Sequence, residues 1–306
     1  MIAILSALIP VFAVIVLGHV LKRTRIIPDA FWQPAERITF FVFFPALLVA
    51  NTAKANLGGL QVLPMVGALL IAIALVVAIT FLIRPPLKLA GPAFTSLVQG
   101  GIRPNVYLAI AAAAALYGGD GLTVTSLCVA FAVPAVNVIS IVAMVRYASP
   151  DGAVVGWRSM VAHVARNPLI IACAVGLSIN LAGIGLPPLI GPLLDILGRA
   201  ALPIGLLAVG AGLDLAAIRP AGRAVAAAAS LKLLVLPVLT FLLCREFGVE
   251  GTTTAVAVLY ASMPNSATAY VMARQMGGDT VMLAGSITAT TLAAAVTMPV
   301  ILGLFG

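Results

Sequence analysis

Two short strings, Arg103-Pro104-Asn105 and Pro264-Asn265, hold the residues best placed to do chemistry, and each lies near the middle of a long apolar run. Proline has no N–H, and its ring clashes with the carbonyl one turn earlier, so a helix through either run should kink or break there. The asparagine after each proline can cap the half-helix that follows. A half-helix N-terminus presents free N–H groups and partial positive charge, which suits a carboxylate, and the side-chain amides of Asn105 and Asn265 add donors of their own. The plainer alternative is that both asparagines are caps with no ligand contact.

Two cations lie deep in apolar sequence, Arg103 at the first break and Lys232 in Ser230-Leu231-Lys232-Leu233. No acidic residue falls near the middle of an apolar run to pair with either. Unpaired charge at such depth is costly and points to function, here an electropositive cavity and an anionic substrate. Arg103 could instead serve the free carbonyls that end the preceding half-helix. Lys232 could snorkel or sit as a neutral amine. Tyr107 and Asn137 join the candidate substrate-binding set of Arg103, Pro104, Asn105, Pro264, Asn265 and Lys232. Gln99, Ser266, Thr268 and the cluster Thr288, Thr290, Thr291 are secondary, because Ser and Thr often bond helix carbonyls in membranes.

Other chemistries find no residues. A Gly-rich phosphate loop with its Lys is missing, and so is any His/Glu metal motif, His19 and His163 being solitary. Asp120 and Asp279 belong to helix ends on opposite sides, so they form no catalytic dyad. Cys128, Cys173 and Cys244 stand alone in apolar runs as small hydrophobes. The sequence therefore reads as no enzyme, with no cofactor and no metal site. No basic cluster interleaves with exposed aromatics, which argues against nucleic acid.

The elements that must position these residues are membrane helices. Of 306 residues 62% are apolar and 8% charged, against about 25% charged in a soluble domain. A span needs about 20 apolar residues. Ten candidates fit: 2–21, 37–54, 62–83, 92–117, 122–145, 165–183, 193–213, 222–243, 252–276 and 281–304. With the N-terminus outside, the inside loops hold Lys22, Arg23, Arg25, Arg84, Lys88, Arg146, Arg158, Arg166, Arg219 and Arg223. The outside loops hold Lys54 and Arg245, the latter beside Glu246 and Glu250. The positive-inside rule then places both termini outside and the central loop in the cytoplasm. The first run has no basic residue before it, unlike a cleavable signal peptide, and reads as a first span.

The two halves of the chain match. Pro45 and Pro203, Pro104-Asn105 and Pro264-Asn265, and Gly118-Gly119-Asp120 and Gly277-Gly278-Asp279 recur at a nearly constant shift. Five spans per half is odd, so the second half must be inserted upside down. Residues 1–145 form a first inverted repeat, 146–164 a cytoplasmic loop, and 165–306 a second repeat. Two broken helices at matching positions of inverted repeats point to a transporter binding site.

The segments GGIRPNVYLAIAAAAALYGGDGL, SMPNSATAYVMARQMGGD and TATTLAAAVTMP together resemble the auxin efflux carrier family. That family includes bacterial permeases associated with malonate and related acids, and the plant PIN-type auxin exporters. The resemblance covers all ten spans. It implies an all-α membrane fold of two five-helix inverted repeats, with helices four and nine crossing at their prolines. It implies a scaffold of spans one, two, six and seven, often dimeric, and a moving transport domain of the remaining spans. It also places an anionic substrate near the crossing, contacted by the positions of Asn105 and Asn265. The string around Arg103 looks more like the bacterial permeases, which points to a small carboxylate. The expectation is an elevator-type secondary transporter of small mono- or dicarboxylates such as malonate in the cell (inner) membrane, its coupling ion (H+ or Na+) left open. The alternatives are an ion-coupled symporter of a bile-acid-like anion on the same fold, which would want intramembrane acids, or a receptor that binds without transporting.

Overall fold

The structure, a computed structural model, describes residues 2–55, 61–148, 166–218 and 222–305. Nearly all of the loop expected at 146–164, with Arg158 and His163, lies outside the described residues, as does Arg219. The described residues are mostly helical, with no β-strand: α1 (Ile2–Arg23), α2 (Asp29–Ala53), α3 (Val62–Leu87), α4 (Gly91–Ile102), α5 (Val106–Tyr147), α6 (Pro168–Leu181), α7 (Ile190–Ala211), α8 (Gly222–Glu246), α9 (Gly251–Ala261), α10 (Ala267–Met276) and α11 (Thr280–Phe305). Seven of these, α1, α2, α3, α5, α7, α8 and α11, are long and apolar enough to cross a membrane.

Three of the remaining four, α4, α9 and α10, are short for physical reasons. Pro104 ends α4 at 12 residues, and the Ser262–Ser266 stretch with Pro264 separates α9 from α10. Twelve residues rise only about 18 Å, short of the ~30 Å hydrocarbon core. By contrast α5 counts 42 residues, yet it is not one rod. Gly118 carries φ 56° and ψ −135°, backbone that L side chains rarely adopt. After it the chain returns antiparallel: Asn137 and Ser140 reach back to Arg103, and a Cβ at Gly91 would strike the Tyr147 carbonyl. The matching Gly277 also has positive φ, 80°, and closes α10. Two helices pass prolines by widening instead of breaking. Residues Thr39–Phe43 in α2 and Leu231–Val235 in α8 form π-turns just before Pro45 and Pro237, which relieves the ring's clash with the preceding turn.

Long-range contacts sort the helix ends into two groups. In one, Lys22 Nζ donates to the Ala211 carbonyl at 2.9 Å, the Asp279 N–H donates to Ser96 Oγ at 2.9 Å, and the Arg84 guanidinium lies 4.5 Å from the Phe94 ring centre and 4.8 Å from that of Tyr147. In the other, Gln61 Nε2 donates to the Gly248 carbonyl at 2.7 Å, Asn180 Nδ2 donates to the Ala53 and Ala55 carbonyls, and Lys54 pairs with Asp195 at 2.9 Å. Asp120 belongs to the end of the α5 hairpin away from Arg103, whereas Asp279 caps α11 through the Met282 N–H.

Packing also falls into two sets. Helix α1 lies on α7, and α2 lies on α6 and α7. The α1–α7 contact is backbone to backbone: a Cβ at Gly18 would collide with the Leu207 carbonyl, and one at Gly210 with the Ile15 carbonyl. Close approach through small residues is how helices associate where lipid supplies no hydrophobic drive. The other set is α3, α4, α5, α8, α9, α10 and α11, and the two sets meet chiefly along α5. Outward faces are apolar, with Ile9, Leu82, Ile196 and Val296 exposed, while Thr95, Ser96, Gln99, Thr290 and Thr291 are buried. That inversion of the soluble pattern is what lipid as solvent demands.

Candidate functional site

The two proline breaks meet. Pro104 and Asn265 form an antiparallel bridge, and the Asn105 N–H donates to the Pro264 carbonyl at 2.8 Å. Backbone groups that the prolines release from helix thus find each other inside protein, as non-helical backbone at this depth requires.

At this junction Arg103 is 8% exposed. Its Nε donates to Thr268 Oγ1 at 3.1 Å, Nη1 faces Gln99 Oε1 at 3.3 Å and Ser140 Oγ at 3.5 Å, and Nη2 donates to Asn137 Oδ1. All these acceptors are neutral. Among the described residues Lys54–Asp195 is the one Lys/Arg–carboxylate pair, so Arg103 has no carboxylate partner. The local alternative for Arg103, service to the carbonyls ending α4, is not what the structure shows.

Arg103 forms the floor of a cavity of about 580 Å³ that reaches exposed Arg166 and Gln275. Asn105, Tyr107 and Asn137 line it with Pro104, and so do Ser266 and Thr268. Asn105 Oδ1 is spent capping α5, accepting the Leu108 N–H at 3.2 Å, and Asn137 Oδ1 is spent on Arg103. Their Nδ2 donors have no partner among the described residues. The Asn105 and Asn137 amides therefore offer donors with their own acceptors engaged, and among the described residues no Asp or Glu lines the wall. Three helix N-termini border the space: α5 at Asn105, α10 at Ser266, and α6 at Asn167, whose Oδ1 accepts the Leu169 N–H at 2.9 Å. Tyr107 stacks on Phe44 with ring centres 4.4 Å apart, leaving its hydroxyl buried and unpartnered. The set can hold an anion by charge and by oriented N–H donors.

The structure does not bring every predicted residue to this cavity. Asn265 is fully buried behind the junction, where its N–H donates to Thr290 Oγ1 at 3.0 Å and its Nδ2 to Ser286 Oγ at 2.7 Å. It does not cap α10; Ser266 does, accepting the Thr268 N–H. Pro264 contributes its carbonyl to the junction and lies outside the cavity lining. Lys232, also fully buried, donates from Nζ to the carbonyl of Ala261, the last residue of α9, at 2.8 Å. It thus plays the carbonyl-capping part considered for Arg103. Thr288 accepts the Asp214 N–H, so the threonines of α11 serve backbone groups.

Arg166 and Asn167 went unread as site residues. The Asn167-Pro168 pair is a readable helix start, an N-cap with Pro at N1. Nothing in the sequence signalled that this start would face Arg103.

Residues 155–302 match the family described as Membrane transport protein. An uncharacterized transporter of Methanothermobacter thermautotrophicus is 22% identical over 298 residues, covering 96% of each chain. The described molecule is helical, and its cavity presents a buried cation and oriented donors. The similarity over residues 155–302, together with seven helices long and apolar enough to cross a membrane, points to a multi-pass membrane protein.

Proposed function

We propose that the protein is a secondary transporter of small organic anions, mono- or dicarboxylates, in the cell membrane. The observation that carries this reading is Arg103, a guanidinium at the floor of the cavity held, among the described residues, by neutral acceptors alone. A charge kept at such depth without a counter-ion is best explained by a ligand that brings the opposite charge.

The same reading takes the chain across the bilayer ten times, as two five-helix repeats of opposite orientation. The sorting of helix ends supports it, because every contact given above joins ends that ten alternating crossings put on one side. So do the positive-φ glycines Gly118 and Gly277 at matching repeat positions. One group of ends holds Lys22, Arg84, Arg146 and Arg166, against Lys54 and Arg245 in the other, and this excess of Lys and Arg favours a cytoplasmic first group. The cavity then faces inward. It lies between the two packing sets, with Phe40 and Phe41 of α2 on one side and the proline junction on the other. That placement favours elevator motion, in which the junction and its ligand slide past α1, α2, α6 and α7.

Time-dependent uptake of radiolabelled lactate, malonate, succinate and adipate into proteoliposomes tests this. Saturable uptake of at least one is expected, falling about 10–100-fold in Arg103→Gln, the loss of one charge-assisted contact set. Label that plateaus at the stoichiometry of the protein would make it a receptor. Normal uptake by Arg103→Gln would sink the site.

A further inference from the structure

Resting on that reading, we infer a second anion subsite at the mouth of the cavity, formed by Arg166 and the N-terminus of α6, which makes the preferred ligand an α,ω-dicarboxylate with a hydrocarbon bridge longer than that of malonate. Three observations carry it. First, Arg166 lines the cavity that Arg103 floors, and no carboxylate or other acceptor engages its side chain among the described residues. Second, Asn167 caps α6 and Pro168 follows it, so the positive end of a 14-residue helix lies beside Arg166. The Nδ2 groups of Asn105 and Asn137, on residues 3% and 6% exposed and without a partner among the described residues, line the same cavity as further donors. Third, the cavity shared by the two cations also has apolar lining, with Phe41, Val133, Val136, Val271 and Met272.

A cavity with two cations and apolar lining matches a carboxylate at each end of a methylene chain. A monocarboxylate would leave the Arg166 pole unanswered. Malonate, with one methylene, would leave the apolar wall bare in a cavity of about 580 Å³, a size that elsewhere holds much larger ligands. Adipate to suberate, with four to six methylenes, are the probes of such a bridge. Arg166 is then a specificity-determining residue, and Arg103 holds the carboxylate that all ligands share.

The test is competition against uptake of one labelled carboxylate by dicarboxylates of three to nine carbons and by monocarboxylates of matched length. The wild type is expected to favour adipate to suberate over malonate, and each dicarboxylate over its matched monocarboxylate by about tenfold or more. Arg166→Gln should collapse that ratio toward one, and Arg166→Lys should restore much of it. Arg103→Gln should lose both series together. A preference for malonate, or a ratio unchanged in Arg166→Gln, overturns this inference while leaving the anion carrier in place. If no carboxylate competes and none is carried, the functional reading itself falls. Arg166 is exposed and makes no hydrogen bond among the described residues, so its variants test recognition instead of folding.

Discussion

An arginine held by an asparagine carbonyl, a glutamine carbonyl and two hydroxyls keeps its charge without spending it. Removing a buried cation from water costs several kcal/mol, and only a close counter-charge with good geometry offsets that. Asn137 therefore becomes an informative position. Asn137→Asp would set a carboxylate against Nη2, giving Arg103 an internal partner of the kind a substrate would otherwise bring. The expected outcome is a protein at least as resistant to heat as the wild type whose anion uptake falls about 10–100-fold. Normal uptake by this variant would show that ligand charge does not meet Arg103. Lys232 makes a useful contrast. Both cations looked alike in sequence, deep and unpaired, but Lys232 ends on the last carbonyl of α9, away from the cavity. Depth along an apolar run is readable, whereas the direction a long side chain takes from the helix is set by which carbonyl or ligand lies within reach.

At the scale of elements, the proline breaks were legible because proline acts through its own ring and missing N–H, whatever surrounds it. Asn105 was likewise legible as a cap. Asn265 was not, since Asn265 and Ser266 are adjacent and both are good cap residues. The choice between them fell to Thr290, which takes the Asn265 N–H and leaves Ser266 to begin the helix. The hairpin at Gly118 was legible from its Gly-Gly-Asp string. The π-turns before Pro45 and Pro237 were not, because widening and breaking relieve the same clash and packing decides between them. Arg166 was read only as a loop charge, and the proximity of residues 63 apart in sequence belongs to the fold. The α1–α7 contact yields its own expectation. Gly210→Val would drive a side chain into the Ile15 carbonyl and part the two backbones. Overpacking of this kind costs about 1–3 kcal/mol. It should appear as earlier loss of monodisperse protein on heating in detergent, while Gly222→Ala, with open space around it, should not shift the curve.

For the whole molecule, the sorted helix ends make orientation measurable. The native cysteines are at most 1% exposed, so they should give little background with a membrane-impermeant maleimide. In right-side-out spheroplasts Arg245→Cys should label from outside and Arg223→Cys only after permeabilisation. The reverse pattern would invert the topology and turn the cavity outward. The uncompensated Arg103 has an electrical consequence as well. In a carrier whose site moves, each carboxylate bound there subtracts one elementary charge from what crosses the membrane field. One charge moved through 100 mV is worth about 2.3 kcal/mol. A monoanion and a dianion would therefore give loaded carriers that differ by that amount in their response to voltage, so the membrane potential itself becomes a filter on ligand valence.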